Sequence, residues 1–228
     1  MPRRTRRGEP REAVTRERVL RMAMALADEG GIDALTMRGL AGRLGVEAAS
    51  LYNHVSGKDD LLVGMADLVI AEIDIPSEDT DWRDAMRRRA TSARELFARH
   101  RWAAALIDTR MQAQPSGLAY ADRVLGTLIR AGLSPAVAGT AFLVLDSYIY
   151  GYERQWSILA RGDGGASTDA AQDVVDAIPS GAFPALAQVA AAYAERPFDE
   201  DAGFAFGLDM LLDGIERMLP ADGPPRPP

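Results

Sequence analysis

The chain has 228 residues, a net charge of −7 and no cysteine. This length allows one or two domains, and the lack of cysteine excludes disulfides, thiolate metal sites and cysteine nucleophiles. No run of about 18 apolar residues occurs, so we expect no membrane-spanning helix. The lack of cysteine is typical of a protein in a reducing compartment, so we predict a cytoplasmic location. Residues 1–58 hold 11 Lys and Arg against 7 Asp and Glu, whereas residues 59–228 hold 15 against 26. A basic first part on an acidic body suits a protein that presents one end to phosphates.

The N-terminal segment begins with arginines and continues with a helical pattern. Residues 1–11 contain five arginines and almost nothing apolar, which predicts a disordered basic arm. From Glu12 to Glu29, apolar residues recur at helical spacing. Gly30-Gly31 is expected to end this first helix, because glycine takes the left-handed conformation at little cost.

Two short helices follow, separated by a glycine turn. Thr36 stands where it can act as the N-cap of the second helix, which Gly45 would end. A third helix of about two turns is predicted over residues 48–54. Ser56 and Asp59 have the spacing of a capping box that would open a fourth helix. Three short helices with a tight turn between the second and third are the layout of a helix-turn-helix.

The rest of the chain is also predicted to be helical, and no stretch alternates like a β-strand, so the expected fold class is all-α. Further helices are predicted over residues 82–101, 118–131, 134–159 and 183–194, and a last one from Asp199. The predicted organisation is a basic arm (1–11), a three-helix helix-turn-helix domain (12–57), a larger helical domain (58–219) and a disordered tail (220–228).

The residues around the turn resemble a known family. Residues 36–46 (TMRGLAGRLGV) lead into 51–55 (LYNHV) and 58–62 (KDDLL). This order is similar to the signature of the TetR family of transcriptional regulators, from about residue 15 to residue 65. Residues 209–216 (DMLLDGIE) resemble the final helix of the tetracycline-repressor subfamily. The resemblance implies a homodimeric repressor, without enzymatic activity or cofactor, that a small-molecule inducer releases from a palindromic double-stranded DNA operator.

The resemblance also implies which residues contact DNA. Phosphates would be held by Thr36, Tyr52, His54 and Lys58, and such contacts set register without reading sequence. Base edges would be met by Arg38, Ala48, Ala49, Ser50 and Asn53, since arginine can grip guanine and alanine methyl groups can touch thymine methyls. Ala48 stands where the tetracycline repressor has a long polar base reader, so we expect a different operator. Four alternatives stay open: Tyr52 could be a core aromatic with its hydroxyl at the surface, and His54 could be a solvated surface histidine. Arg38 could pair with Glu29 or Glu47, and the arm could be a solvated tail.

By the same resemblance, the acidic helical body binds the inducer and forms the dimer. The candidate ligand-binding residues are Met86, Trp102, Leu106, Arg110, Met111, Phe142, Asp146 and Ile149. Methionine and tryptophan would supply an adaptable apolar wall, while Arg110 or Asp146 would orient a polar ligand. For each of them an ordinary core position is the alternative. Residues 142–156 and the last helix are apolar on most sides, which indicates burial in a core or against a partner, as in a four-helix dimer interface.

One departure from the family bears on the inducer. The tetracycline repressor holds magnesium through a histidine, and Ile107 occupies the corresponding position here, with His100 two turns earlier. A single histidine cannot form a histidine-rich metal site. We therefore predict no metal ligands and an inducer other than metal-tetracycline, larger and mostly apolar.

An enzyme and a ligand-independent regulator are the two other classes of function to consider. An enzyme could use Asp146, Glu153 or Asp108 in acid–base chemistry, but the sequence has no nucleophile elbow, phosphate loop or metal-ligand cluster. A ligand-independent DNA-binding regulator, or an activator, would share the same fold and the same N-terminal residues.

Overall fold

A computed structural model describes residues 13–75, 77, 80–110, 115–159, 176–177, 179, 182–195 and 199–220. Within these residues the chain is helical and contains no strand, which confirms the all-α class. The predicted basic arm and nearly all of the predicted tail lie outside the described residues.

The helices follow the chain order that the sequence predicts, with several changes of boundary. They are α1 (Arg16–Gly30), α2 (Met37–Leu44), α3 (Ala48–Leu51), α4 (Lys58–Glu72), α5 (Trp82–Arg99), α6 (Ala103–Arg110), α7 (Pro115–Arg130), α8 (Pro135–Leu159), α9 (Pro184–Glu195) and α10 (Glu200–Glu216). A 3-10 turn, Ile32–Ala34, joins α1 to α2.

One continuous apolar core connects the helices. α4 packs against α1 on one side and against α6 and α7 on the other, and α8 packs against α5, α6, α7 and α10. The first helices contribute Val19, Leu40 and Leu51, each without exposed surface, and α4 contributes Leu61 and Met65. The buried residues of α4 lie in a single cluster with those of α1–α3 and with those of the later helices. α4 therefore belongs structurally to both groups of helices.

Side-chain caps fix the starts of several helices. The Thr36 hydroxyl accepts a hydrogen bond from the Gly39 N–H at 3.1 Å, and the Asp199 carboxylate accepts one from the Ala202 N–H at 2.9 Å. The Thr36 cap is as the sequence predicts, and for Asp199 the sequence predicts only that the last helix begins near it. Thr15 provides a third cap that the sequence analysis missed. For this reason α1 begins at Arg16 and not at Glu12.

The predicted capping box at the start of α4 is wrong. Gly57 is the N-cap and provides no side-chain hydrogen bond. Asp60, instead of Asp59, reaches back and accepts a hydrogen bond from the Ser56 N–H at 2.8 Å. Asp60 also accepts two hydrogen bonds from the Arg16 guanidinium, at 2.6 and 2.9 Å. The partner that selects Asp60 comes from α1, so the local sequence could not reveal it.

Three other boundaries also differ from the predictions. α3 ends at Leu51, and the chain continues through a turn to His54, so α3 is one turn long and not two. The helix predicted over 82–101 ends at Arg99, and after a short turn the separate helix α6 begins. α7 begins at Pro115, ahead of the predicted Leu118, since proline at the first helical position sacrifices no hydrogen bond.

We expect Asp60→Asn to destabilise the protein at neutral pH and to have a smaller effect in acid. The Arg16 hydrogen bonds, followed by the Ser56 N–H, lower the pKa of Asp60 from 3.8 to about 2. A carboxyl whose pKa is lower in the folded state stabilises the folded protein at pH values above the unfolded-state pKa. This stabilisation disappears as the pH falls through the folded-state pKa. At pH 7 the loss should be about 1–2 kcal/mol, because the Asp60 side chain is partly exposed.

The measurement is urea unfolding of the wild type and Asp60→Asn at fixed protein concentration from pH 7 to pH 2.5. The difference in the free energy of unfolding should be constant above about pH 5 and should shrink between about pH 4 and pH 2. Arg16→Met should reproduce the loss, and the double variant should be little worse than either single one. A difference that does not depend on pH would contradict the assignment.

Candidate DNA-binding surface and buried polar cluster

The turn between α2 and α3 is built by one glycine and locked by buried side chains. Gly45 has φ 68° and ψ 33°, and its N–H reaches the carbonyls of Ala41 and Gly42. Glycine adopts this left-handed conformation without steric cost. The apolar residues that hold α2 and α3 in place are buried, namely Leu40, Ala41, Leu44, Leu51 and Val55. Val46, between the two helices, is half-buried against the same core. This pair of helices therefore presents one fixed outer surface.

The nine residues predicted to contact DNA lie on this outer surface. None of them is buried; the exposed ones are Thr36, Arg38, Ala49, Tyr52, Asn53 and Lys58, and the half-buried ones are Ala48, Ser50 and His54. Tyr52 is 56% exposed, although an aromatic ring of this size is commonly packed. The Thr36 oxygen already accepts a backbone hydrogen bond, so its hydroxyl hydrogen remains available to donate.

Charged neighbours leave the two basic residues of this surface available. Glu29, one of the alternative partners of Arg38, is paired with Arg43 at 2.6 Å. Among the described residues, neither Arg38 nor Lys58 has an ion-pair partner. Lys58 is the first residue of α4, whose N-cap Gly57 provides no side-chain acceptor. The first N–H groups of α4 and the Lys58 ammonium thus favour an anion at the same end of the helix.

A buried arginine that the sequence analysis missed lies between α5, α7 and α8. Arg89 has no exposed surface. Its Nε donates to the Tyr120 hydroxyl at 2.7 Å, and its Nη2 donates to the Asp146 carboxylate. The guanidinium carbon lies 5.0 Å from the centre of the Tyr120 ring and 5.6 Å from that of Phe142. We call Arg89, Tyr120, Phe142 and Asp146 the Arg89 cluster.

A signal for this cluster was present in the sequence. Arg87, Arg88 and Arg89 follow one another in the sequence, within the helix predicted over residues 82–101. Arg89, however, shares a helical face with Met86, Ala90 and Ala93, all of them buried. An arginine at the i+3 position of an apolar stripe indicates a buried charge that needs an acidic partner.

The other predicted ligand-binding residues lie mostly in the core. Met86 and Ile149 are 1% exposed, and Leu106 is 8% exposed. Of the predicted set, Phe142 and Asp146 belong to the Arg89 cluster. The Arg110 side chain and Met111 lie outside the described residues. A ligand-binding role for each of these residues remains a prediction.

Trp102 connects the helical body to α1. Its Nε1 donates to the Asp28 carboxylate at 2.7 Å, and the same carboxylate lies 2.9 Å from Nδ1 of His100. The turn between α5 and α6 is thereby tied to the end of α1. Ile107, which the resemblance predicts to occupy the position of a magnesium-binding histidine, is fully buried and has no donor atom.

These residues do not fit a magnesium site of that kind, because His100 already faces Asp28. In the part of the chain that the structure describes, no group of three or more His, Asp or Glu side chains could hold a metal ion.

A groove of about 490 Å³ runs between α5, α8 and α10, and its charged lining is paired internally. Arg94 contacts Glu153 at 3.1 Å and Glu200 at 3.0 Å, while Arg87 contacts Asp209 at 2.7 Å. Burial raises the pKa of the Glu153 carboxyl above its usual value, and the Arg94 charge opposes that rise. None of the predicted ligand-binding residues lines this groove.

α8 and α10 carry exposed apolar side chains on their outer surfaces. Leu143 and Val144 of α8 are 64% and 43% exposed, and Phe206 and Met210 of α10 are 70% and 61% exposed. We call these four residues the apolar stripe. On the inner side the two helices are joined by the Tyr148 hydroxyl, which donates to the Phe204 carbonyl at 2.8 Å. Exposed apolar side chains on two neighbouring helices are typical of a surface that a partner covers.

We expect Gly207→Ala to separate α8 from α10 and to destabilise the protein by about 1–3 kcal/mol. A Cβ atom at Gly207 would overlap the Tyr148 hydroxyl and lie 2.8 Å from its ring carbon Cζ. The Tyr148 ring cannot easily move away, because it stacks on Phe204 at a centroid distance of 5.3 Å. Burial raises the pKa of Tyr148 to about 12, so the hydroxyl stays protonated and keeps its bond to Phe204.

The control for this prediction is Tyr148→Phe, measured alone and combined with Gly207→Ala by urea unfolding at fixed protein concentration. Alone, Tyr148→Phe should cost about 1 kcal/mol through the lost hydrogen bond. In the Gly207→Ala background it should instead raise stability, because it removes the overlapping atom. Additive losses in the double variant would refute the overlap.

Comparison with known proteins matches both parts of the chain. Residues 19–65, which include all nine predicted DNA contacts, match the family "Bacterial regulatory proteins, tetR family". Residues 75–219 match "Tetracyclin repressor-like, C-terminal domain". The chain belongs to the TetR family of transcriptional regulators. The match of residues 75–219 agrees with the predicted likeness to the tetracycline-repressor subfamily.

Individual members of the TetR family are similar to this chain over most of their length. The transcriptional repressor DrrR1 of Streptomyces coeruleorubidus is 32% identical over 92% of this chain and 80% of its own. The class A tetracycline repressor of transposon 1721 from Escherichia coli is 30% identical over 87% of this chain and 89% of its own. The crystal structure of the Streptomyces coelicolor TetR-family protein ActR in complex with actinorhodin is 28% identical, with a TM-score of 0.78 over 90% of this chain and 98% of ActR.

TetR-family regulators bind DNA and small-molecule ligands, and relatives of this chain are named transcriptional repressors. Among the helices described here, none has the length and apolar character needed to cross a membrane.

Proposed function

We propose that this protein is a homodimeric, non-enzymatic repressor that binds a palindromic operator and is released by a small molecule other than metal-tetracycline. The observation that carries the proposal is the outer surface of α2, α3 and the start of α4. There, nine residues suited to DNA contact are accessible on a turn whose apolar residues are locked in the core. Membership of a family of DNA-binding regulators supports the same conclusion.

The roles of these residues follow from their chemistry. Thr36, Tyr52 and His54 would donate hydrogen bonds to phosphates, and Lys58 would add a charge at the uncapped start of α4. Arg38 would contact guanine, while Ala48, Ala49, Ser50 and Asn53 would meet other base edges. Arg16 supports this surface from behind, since it donates to the His54 carbonyl at 2.8 Å as well as to Asp60.

The domain organisation that we propose is the one predicted from the sequence. A basic arm (1–11) precedes the DNA-binding domain (12–57), and the effector domain (58–219) precedes the tail (220–228). Two protomers would join through the apolar stripes of α8 and α10 in a four-helix interface. The twofold axis would then set the two α3 helices about 34–36 Å apart, on successive major grooves of a palindrome.

Release of DNA would follow from a shift between two arrangements of the protomers. The turn between α5 and α6 is tied to α1 through Trp102 and Asp28, so a ligand that moves α6 also acts on the DNA-binding domain. The binding of actinorhodin by the related protein ActR favours a ligand-responsive regulator.

An enzymatic role is not favoured. Asp146 and Glu153, two carboxylates that acid–base chemistry could have used, are both engaged by arginines. As a regulator of chromosomal DNA, the protein would act in the cytoplasm.

The test is a band-shift titration with the intergenic DNA upstream of the protein's own gene, at 150 mM salt, with sequence-scrambled DNA of equal length as control. Binding should be at least about 1,000-fold tighter to the operator than to scrambled DNA. A metabolite panel screened by thermal shift would then identify ligands that also release the DNA. A folded dimer that binds both DNAs equally would refute the proposal.

A further inference from the structure

We propose that Arg89 is the cation that recognises the ligand, and that the ligand is a flat aromatic molecule carrying a carboxylate. The inference rests on the proposed function in one respect, namely that the effector domain binds a small molecule. The inference goes beyond the proposed function by naming the residue that recognises the ligand and the chemical class of the ligand.

Arg89 has an unused pair of hydrogen-bond donors. A guanidinium has five N–H donors, and a buried one normally has partners for them. Nε of Arg89 bonds Tyr120 and Nη2 bonds Asp146, but Nη1 is buried and has no hydrogen-bond partner. An orphaned charged donor in the core is costly, and the two N–H groups of Nη1 suit a carboxylate oxygen of a ligand.

Two aromatic rings surround the Arg89 guanidinium. The rings of Tyr120 and Phe142 lie 6.2 Å apart at an angle of 58°, and both are within 6 Å of the guanidinium carbon. Phe142 is only half-buried, so the cluster is not closed on its side. Aromatic walls beside a cation favour a planar ligand whose ring packs on Phe142 and whose charged end meets Arg89.

In the part of the chain that the structure describes, the charge of Arg89 is balanced by a single carboxylate. Asp146, 6% exposed, neutralises Arg89 in the absence of ligand and forms the only ion pair of Arg89 among the described residues. A ligand carboxylate would have to share Arg89 with this anion. Asp146 therefore limits the affinity for acids, and its neutralisation should strengthen their binding. An Arg89–Asp146 pair that served only to hold α5 against α8 would not have this effect.

The experiment uses isothermal titration calorimetry of the full-length protein, without DNA, with two probes of equal shape. 2-Naphthoate carries the carboxylate, and 2-naphthamide is its uncharged counterpart. The wild type should bind the naphthoate at least about 10-fold more tightly than the amide, which corresponds to about 1.4 kcal/mol. Arg89→Met should reduce this ratio to about 1, and Arg89→Lys should give an intermediate ratio because the charge is kept and the planar fork is lost.

Asp146→Asn gives the opposite expectation and separates recognition from structure. It should tighten the binding of 2-naphthoate several-fold and leave that of 2-naphthamide unchanged. Because a single variant could fail to fold with one charge left buried, Arg89→Met/Asp146→Leu removes both charges together. This double variant, shown to be folded by its circular dichroism and melting temperature, should bind both probes equally.

Two results would overturn the inference: a wild type that binds both probes equally or binds neither, and a folded Arg89→Met variant that keeps the preference for naphthoate. Neither result depends on the operator, so failure of this inference can be distinguished from failure of the band-shift test of the proposed function. Conversely, a preference for naphthoate without any release of DNA would overturn the release step of the proposed function and leave the role of Arg89 intact.

Discussion

Phe206→Glu combined with Met210→Glu should convert the protein to monomers and lower operator affinity by at least about 100-fold. Both side chains belong to the apolar stripe and are more than 60% exposed in the single chain. In the proposed four-helix interface they would be buried, and two glutamates from each protomer would then face one another without partners. A monomer binds a single half-site and loses the affinity gained by linking two.

Sedimentation velocity would measure the oligomeric state, and fluorescence anisotropy would compare an operator with two half-sites against DNA with one. Leu118→Glu is the matched control: Leu118 is 61% exposed and lies on α7, away from the apolar stripe. It should leave both the dimer and the operator affinity unchanged. A double variant that remains dimeric, or a control that dissociates equally, would place the interface elsewhere.

Lys58→Ala should weaken operator binding by about 10- to 100-fold and flatten its salt dependence. Lys58 is exposed and lies at the start of α4, where no side chain caps the helix. A phosphate contact from each protomer releases about one counterion, so the slope of log K against log salt should fall in magnitude by about 2 for the dimer. The loss should be similar for operator and scrambled DNA, because phosphate contacts carry no sequence information.

Arg88→Ala removes the same charge from the effector domain and serves as the control. Arg88 is 60% exposed on α5 and pairs with Asp74 at 2.9 Å. The salt slope of this variant should equal that of the wild type, while Lys58→Arg should retain most of the affinity. If Lys58→Ala leaves the slope unchanged, Lys58 does not contact a phosphate.

The sequence predicted those parts of the fold that depend on neighbouring residues. Thr36 and Gly45 act within four residues of their own positions, and their roles as cap and turn are as predicted. The capping box at Ser56 was wrong because Arg16, 44 residues away from Asp60, decides which aspartate turns back.

The effector domain was harder to predict for the same reason. The partners of Arg89 lie 31 and 57 residues away, and those of Asp28 lie 72 and 74 residues away. Periodicity indicates that such positions are buried, but it does not say which helix faces them. The ligand-binding set predicted from the family therefore included Asp146 and omitted the arginine that holds it.

α4 links the DNA-binding domain to the effector domain, so a tilt of this helix would carry movement from one to the other. Its 15 residues form a rod of about 22 Å. At the DNA end Asp60 is bonded to Arg16 of α1, and at the other end the Asp74 N–H donates to Ser92 of α5 at 2.9 Å. A tilt of about 5° about the far end would move the DNA end by about 2 Å. In a twofold dimer the two displacements are opposed, so the half-site distance would change by about one base-pair step, ~3.4 Å. A rearrangement too small to alter any helix would thus be large enough to put both α3 helices out of register with the operator.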